Sequence, residues 1–142
     1  MKFTIVDQDK FLKKYPEIKN SFNKIAKTIC SKLKITKPYY FDVTFVDDKK
    51  MKQINKEYRG VNKPTDVISF AFLDNKQITT LLLGEIYIDY EYSLEYANEN
   101  NLKIDYEFKL LFAHGLLHLL GFDHANKKDE KIMFDLQEEV IR

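Results

Sequence analysis

Two different hydrophobic periods run along this chain. Between residues 17 and 33, apolar side chains recur every three or four positions, as in a helix that buries one face. Between residues 39 and 46, aromatic and β-branched residues alternate along the chain, as in a β-strand. Applied to the whole sequence, these periods predict strands at 2–6, 39–46, 65–73 and 81–90, and helices at 17–33, 49–60, 90–100, 104–120 and 127–141.

Turn-forming residues mark the ends of several of these segments. Asp47 and Asp48 precede the basic helix and offer a side chain for its N-cap, while Gly60 favours its end. Pro64 then interrupts the chain, and the polar sequence DNKQ at 74–77 predicts a turn between the last two strands. The chain is thus divided into short regular segments without a repeat, linker or low-complexity stretch.

These segments predict an α+β fold. We expect about four strands in one mixed or largely antiparallel sheet, covered by about five helices, with residues 1–142 forming a single domain. The second half of the helix at 104–120, LLFAHGLLHLL, is almost wholly apolar. A helix that is apolar on every side is buried all round, so this one is expected to run through the centre of the domain.

The composition is typical of a soluble globular protein, with 44% hydrophobic and 32% charged residues. The sequence has no run of about 18 apolar residues that would cross a membrane. Its charged N-terminus lacks the long apolar centre of a secretory signal. A single cysteine, Cys30, excludes an internal disulfide framework. Together these features favour a cytoplasmic protein without a membrane partner.

Charge is distributed unevenly, although the net charge is only +1. Residues 1–64 carry 16 Lys and Arg against 7 Asp and Glu, a net of +9. Residues 65–142 carry 7 against 15, a net of −8. Such a separation is typical of a protein whose basic half binds nucleic acid or another anion, and it is equally compatible with two solvated faces of opposite sign.

All three histidines fall within residues 114–124, HGLLHLLGFDH. His114 and His118 are four residues apart on the predicted central helix, so their Cβ atoms are about 5–6 Å apart on one face. Gly121 lets the chain turn back and bring His124 to the same point. Three imidazoles with a fourth position open predict a catalytic zinc site with one ion per chain, and nickel or another divalent ion suits the same ligands. The alternative is three core histidines with separate hydrogen-bond partners, which a leucine-rich helix does not favour.

The spacing H-x3-H-x2-G-x2-H matches the zinc ligands of metzincin proteases. Those enzymes place a glutamate general base directly after the first histidine, where this chain has Gly115. Glycine transfers no proton, so the metal ligands are present while the peptidase base is absent. Hydrolysis of a different bond is therefore favoured, with a small zinc peptidase as the alternative.

Several motifs resemble the YbeY family of bacterial metal-dependent endoribonucleases. Residues 114–124 are close to the family pattern HG-x-LHL-x-G-Y/F-DH, and residues 55–70 resemble N-x-x-Y/F-R followed by TDVLSF. The sequence GEI at 84–86 is similar to the family's G-D-I, and the resemblance covers roughly residues 40–142. The chain departs from the family pattern at Asn62, Ala71 and Glu85.

The resemblance implies a zinc-dependent endoribonuclease specific for single-stranded RNA, acting in ribosomal RNA maturation at the 16S 3′ end and in ribosome quality control. It implies that His114, His118 and His124 bind the metal and that Arg59 takes part in catalysis or substrate engagement. It also implies an association with the small ribosomal subunit, with a ribosomal protein and an assembly GTPase as partners.

The chemistry of RNA cleavage agrees with this reading. A zinc-bound water has a pKa near 7 and supplies hydroxide without a strong protein base. Arg59 ends a lysine-rich helix and its guanidinium matches phosphate oxygens, while Lys63 is a further substrate-binding candidate. Asp66, Ser69 and Asp123 lie in the same motifs, but the sequence assigns none of them as general base, and water and the ribose 2′-hydroxyl both stay open as the attacking group.

A non-catalytic ribosome-assembly factor with structural zinc is the other alternative. Structural zinc sites are closed by four protein ligands, whereas catalytic sites keep one position open. A fourth protein ligand beside the three histidines would therefore favour the assembly factor over the enzyme.

Overall fold

The computed structural model describes residues 1–72 and 81–142, in which four strands and six helices are present. The strands are β1 (Lys2–Val6), β2 (Tyr40–Val46), β3 (Val67–Ala71) and β4 (Leu82–Asp89). The helices are α1 (Phe11–Lys14), α2 (Glu17–Lys32), α3 (Asp48–Arg59), α4 (Tyr90–Glu99), α5 (Ile104–Leu119) and α6 (Lys127–Ile141). Every predicted strand and helix is present, whereas the turn predicted at 74–77 lies outside the described residues.

The strands form one mixed sheet in the order β1-β2-β4-β3. Strand β2 is parallel to both β1 and β4, and β3 is antiparallel to β4. The mixed sheet is therefore confirmed, whereas the expectation of a largely antiparallel one is wrong. Parallel neighbours need a crossover connection, which α1 and α2 supply between β1 and β2, while α3 begins the path from β2 to β4.

The short helix α1 is the element that hydrophobic periodicity missed. Its four residues make a single turn, which is too short to show a helical period. The two carboxylate oxygens of Asp7 accept hydrogen bonds from the backbone N–H groups of Phe11 and Leu12, each over 2.9 Å. Phe11 is buried in the main core. A local cap and one buried ring thus stabilise this turn.

Helix α5 lies at the centre of the fold, as its apolar sequence predicted. Phe112 of α5 stacks on Phe22 of α2, with ring centroids 4.1 Å apart and planes only 7° from parallel. The same core includes Phe41 and Ile86 from the sheet, and both are fully buried. No helix in the described part of the chain is long and apolar enough to cross a membrane.

A glycine in β4 allows strand β3 and the end of helix α5 to pack closely against that strand. Gly84 has a φ of +146°, and a Cβ atom there would lie 1.9 Å from the carbonyl oxygen of Phe70 and 2.9 Å from Leu119 Cδ2. Any larger residue would push β3 or the end of α5 away from β4. Because Gly84 has no side chain, strand β3 and the histidine-bearing end of α5 lie close to the same point of β4.

Candidate metal centre

The three histidines converge, although His124 lies outside the helix that carries the other two. His114 and His118 are one turn apart on α5, with ring centroids separated by 4.7 Å. The helix ends at Leu119, and Gly121 adopts a φ of +99° that turns the chain back. The ring of His124 thereby lies 6.0 Å from that of His114 and 5.3 Å from that of His118. The predicted return of the chain is confirmed.

The geometry of the cluster suits a single metal ion. One nitrogen from each ring lies within 4.8 Å of the other two, so a modest adjustment brings all three to bonding distance. His114 and His118 are half-buried and His124 is exposed, which places the cluster at the protein surface. Within residues 1–72 and 81–142, no aspartate, glutamate or cysteine joins this group as a fourth ligand. The arrangement is therefore that of an open site.

Gln137 on α6 orients one of the three rings. Its Oε1 accepts a hydrogen bond from His114 Nδ1 over 2.9 Å, and its side chain is only 7% exposed. With the proton on Nδ1, Nε2 keeps the lone pair that a metal needs. No role for Gln137 was predicted from the sequence. The available signal was a polar residue on the buried face of α6, between Met133 and Val140.

Burial keeps the two helical histidines neutral. Desolvation lowers the pKa of His114, partly opposed by its hydrogen bond to Gln137. Desolvation also lowers the pKa of His118, and the neighbouring rings of His114 and His124 lower it further. Neutral imidazole is the form that binds a metal, so protons compete weakly with an ion for these two ligands near neutral pH.

The histidines line a cleft of about 560 Å³. Residues 65–70, which comprise most of β3 and the loop before it, line the same cleft, and the end of α3 contributes Tyr58 and Arg59. Arg59 is exposed, so its guanidinium is available to a ligand. Lys63 is not among the described residues that line this cleft, and its role in substrate binding stays a prediction.

Hydrogen bonds at both ends of α3 fix the helix backbone that carries Arg59. Asp47 Oδ1 accepts a hydrogen bond from a backbone N–H of the first turn over 2.8 Å, as its predicted N-cap role requires. Gly60 ends the helix with a φ of +69°. The buried Asn55 donates from Nδ2 to the carbonyl oxygen of Lys63 over 2.8 Å, which fixes the loop that follows Arg59.

The aspartates of the cleft are engaged with backbone groups. Asp66 accepts a hydrogen bond from Val67 N–H and Asp123 accepts one from His124 N–H, each over 2.7 Å. Each bond joins the aspartate to the residue that directly follows it in the chain. Glu107 in α5, for which the sequence predicted no role, is a buried carboxyl near Asp66 that does not line the cleft, and it is 3% exposed. Burial, followed by the negative charge of Asp66, raises the pKa of Glu107 to about 7.

Gly115 occupies a position that admits no larger side chain without movement. A Cβ atom at Gly115 would lie 3.0 Å from Ile86 Cγ2 and 3.1 Å from Ser69 Oγ. A larger residue there would require these two side chains to shift by a few tenths of an ångström. Glycine offers no proton-transfer group at this position, so the chain lacks the glutamate base on which the peptidase alternative depends.

The fold and the cleft together define a class of protein. It is an α+β fold in which a buried central helix presents a three-histidine centre, able to hold a metal ion, beside an exposed arginine. A family model described as "Endoribonuclease YbeY" matches residues 4–142. The chain belongs to that family, and the resemblance drawn from its motifs is confirmed.

Individual relatives agree with the family model. A protein of Ureaplasma urealyticum serovar 10 named "Endoribonuclease YbeY" is 44% identical over 141 residues, covering 99% of this chain and 90% of the relative. One of the same name from Malacoplasma penetrans is 38% identical, covering 97% and 91%. The solution structure of TM1509 from Thermotoga maritima superposes with a TM-score of 0.68 at 28% identity, covering 98% of this chain and 86% of that one.

Proposed function

We propose that this chain is a zinc-dependent endoribonuclease that cuts single-stranded RNA, with residues 1–142 acting as a single domain. The observation that carries the proposal is the three-histidine centre in a cleft that also holds Arg59. The endoribonuclease relatives support the reaction class, which is hydrolysis of RNA phosphodiester bonds.

Zinc is the metal that this donor set fits best. His114, His118 and His124 offer three neutral nitrogens, and the hydrogen bond from His114 to Gln137 is the outer-shell contact that such ligands usually make. When bound, zinc acts as a Lewis acid and lowers the pKa of a water molecule, so that a nucleophile is available at neutral pH. Nickel or another divalent ion is the alternative for the same ligands.

Arg59 is the catalytic residue that we assign to the phosphate. Its planar guanidinium binds two phosphate oxygens at once and stabilises the negative charge that grows on them during cleavage. The rest of α3 raises the positive potential around the cleft, because it carries four exposed lysines: Lys49, Lys50, Lys52 and Lys56. Lys63, also exposed, is proposed to contact the RNA backbone just outside the cleft.

The substrate we propose is ribosomal RNA. Family resemblance points to maturation of the 16S 3′ end and to ribosome quality control, on the small ribosomal subunit in the cytoplasm. A ribosomal protein and an assembly GTPase are the proposed protein partners on the same basis. The net charge of +9 on residues 1–64 supports an anionic partner of this kind.

Metal analysis and RNA cleavage, measured on the same preparations, test this proposal. We expect about one zinc per chain, and cleavage of a single-stranded ribosomal RNA fragment that stops in chelator and returns with zinc. His114→Ala should lose both properties. Arg59→Ala should keep the metal while cleavage falls by about 100-fold or more, as when one transition-state donor is removed.

Arg142 provides the matched control, because it is the chain's other arginine and is exposed at the end of α6. Arg142→Ala should leave zinc content and cleavage unchanged. Cleavage that survives both chelation and His114→Ala would contradict the proposal. So would a zinc-loaded chain that cuts neither free ribosomal RNA nor RNA in isolated small subunits.

A further inference from the structure

Tyr58 is the most exposed large hydrophobic side chain in residues 1–72 and 81–142, at 66% exposure. Single exposed aromatic residues are common on protein surfaces, so exposure alone indicates nothing. The position of Tyr58 is what distinguishes it. It directly precedes Arg59 at the end of α3 and lines the cleft that contains the three histidines.

Helix geometry explains why this ring is at the cleft. Met51, Ile54 and Tyr58 follow each other at intervals of three and four residues, so they share one face of α3. Exposure along this face rises from 0% at Met51 and 5% at Ile54 to 66% at Tyr58. Met51 and Ile54 belong to an apolar cluster that also includes Val46 and Ile68 of the sheet, whereas Tyr58 is left largely exposed.

Neighbouring aromatic residues brace the ring of Tyr58. Phe70 of β3 contacts it at an interplanar angle of 62°, with ring centroids 4.9 Å apart. Tyr87 of β4 packs in turn against Phe70, with an angle of 80° and a centroid distance of 5.8 Å. A ring held in this way loses little conformational freedom when it binds a ligand, and most of its surface is available for contact.

We propose that Tyr58 is a positioning residue that stacks on an unpaired RNA base while Arg59 binds a neighbouring phosphate. The assignment rests on the proposed endoribonuclease function. Stacking on an aromatic ring tolerates any base but requires a base face that is free. Bases within a duplex are stacked on one another, so a platform beside the metal centre selects single-stranded RNA as the substrate.

Binding measured without cleavage tests the stacking contact directly. The unaltered chain and its variants are titrated, in chelator so that the RNA stays intact, into a single-stranded oligonucleotide carrying the fluorescent base 2-aminopurine. We expect Tyr58→Ala to weaken binding by about tenfold and to remove the fluorescence quenching that stacking causes. Tyr58→Phe keeps the ring and should restore both. Tyr96→Ala is the matched control, because Tyr96 is 44% exposed on α4 and does not line the cleft.

Steady-state cleavage by the zinc-loaded chain provides a second readout. Tyr58→Ala should raise KM by about tenfold with a much smaller change in kcat. An abasic nucleotide at the quenched position should remove the difference between Tyr58→Ala and the unaltered chain. Equal binding and quenching by the two chains would overturn the stacking assignment alone. An unaltered chain that neither binds nor cuts RNA would overturn the proposed function together with it.

Discussion

Ionisable side chains are wholly or partly buried both at the metal centre and where β4 meets α4, and at both places burial favours the neutral form. At the metal centre, desolvation lowers the pKa of His114 and His118. Where β4 meets the start of α4, desolvation and then a hydrogen bond to Asp48 raise the pKa of Asp89 to about 8. The shifts have opposite signs and one cause, because a poorly solvated environment disfavours charge of either sign.

The two places differ in what their polar atoms can reach. Asp48 Oδ1 and Asp89 Oδ2 are buried and accept no hydrogen bond among the described residues, and the neighbouring Asp48 carboxyl helps to hold Asp89 in its protonated form. The other oxygen of Asp89 accepts a hydrogen bond from Tyr92 N–H over 3.0 Å and caps α4. The histidine nitrogens instead line an open cleft. A shifted pKa therefore indicates a binding site only where the group is accessible to a ligand.

Removing a histidine should give the largest difference in zinc affinity between a change at the metal centre and a change at the pair of Asp48 and Asp89. His118→Ala leaves two ligands, so zinc affinity should fall by more than the roughly 100-fold that losing an outer-shell partner can cost. RNA cleavage should be lost with it. Asp89→Asn, which alters the buried pair of Asp48 and Asp89, should bind zinc like the unaltered chain. Isothermal titration with zinc makes the comparison, and tight binding by the His118→Ala chain would contradict the assigned ligands.

Loss of the hydrogen bond to His114 should have the next largest effect on the metal centre. Gln137→Leu removes the acceptor of the Nδ1 proton without introducing a charge, so zinc affinity should fall by about 10–100-fold. Competition with a chromophoric chelator measures this change. Gln53→Leu on the exposed side of α3 is the control and should leave the affinity unchanged. Unchanged affinity in Gln137→Leu would mean that Gln137 only fills space.

The buried pair of Asp48 and Asp89 should make the fold less stable as the pH rises. Asp89 binds a proton more tightly in the folded chain than in the unfolded chain, so its contribution to the free energy of unfolding falls as pH rises from about 4 to about 8. Asp89→Asn retains a donor towards Asp48 without a titrating proton. We expect it to flatten this slope and to add on the order of 2 kcal/mol at pH 9. Urea unfolding at several pH values checks this, and parallel slopes for both chains would contradict it.

Glu107 is an intermediate case with the smallest expected effect. It is buried like Asp89, but its neighbour Asp66 lines the cleft. The raised pKa of Glu107 again means that stability falls with rising pH, here between about 4.5 and about 7. Glu107→Gln should therefore add about 1 kcal/mol at pH 8 and nothing at pH 4. The same unfolding series measures it, and destabilisation at pH 8 would show that the ionised carboxylate has a stabilising partner.

The sequence by itself determined the regular elements and the grouping of three histidines that could hold a metal, because both depend on short-range spacing. An offset of four residues places His114 and His118 on one face of any α-helix. A glycine three residues after His118 permits the return that brings in His124, and its φ of +99° shows that this freedom is used. The four-residue helix α1 was not predicted, because a single turn is too short for a hydrophobic period to repeat.

Only the tertiary structure decided which elements meet. The period of a segment shows which face is buried but not which partner buries it. The predicted mixed sheet therefore did not specify that β2 pairs in parallel with both β1 and β4. Gln137 is 23 residues from His114 and was invisible as its partner until α6 packed on α5. Tyr58 belonged to the N-x-x-Y/F-R motif but had no predicted role, and its place beside Phe70 at the cleft came only from the packing of β3. Local spacing fixes geometry within an element, whereas contacts between distant residues exist only once the whole chain has packed.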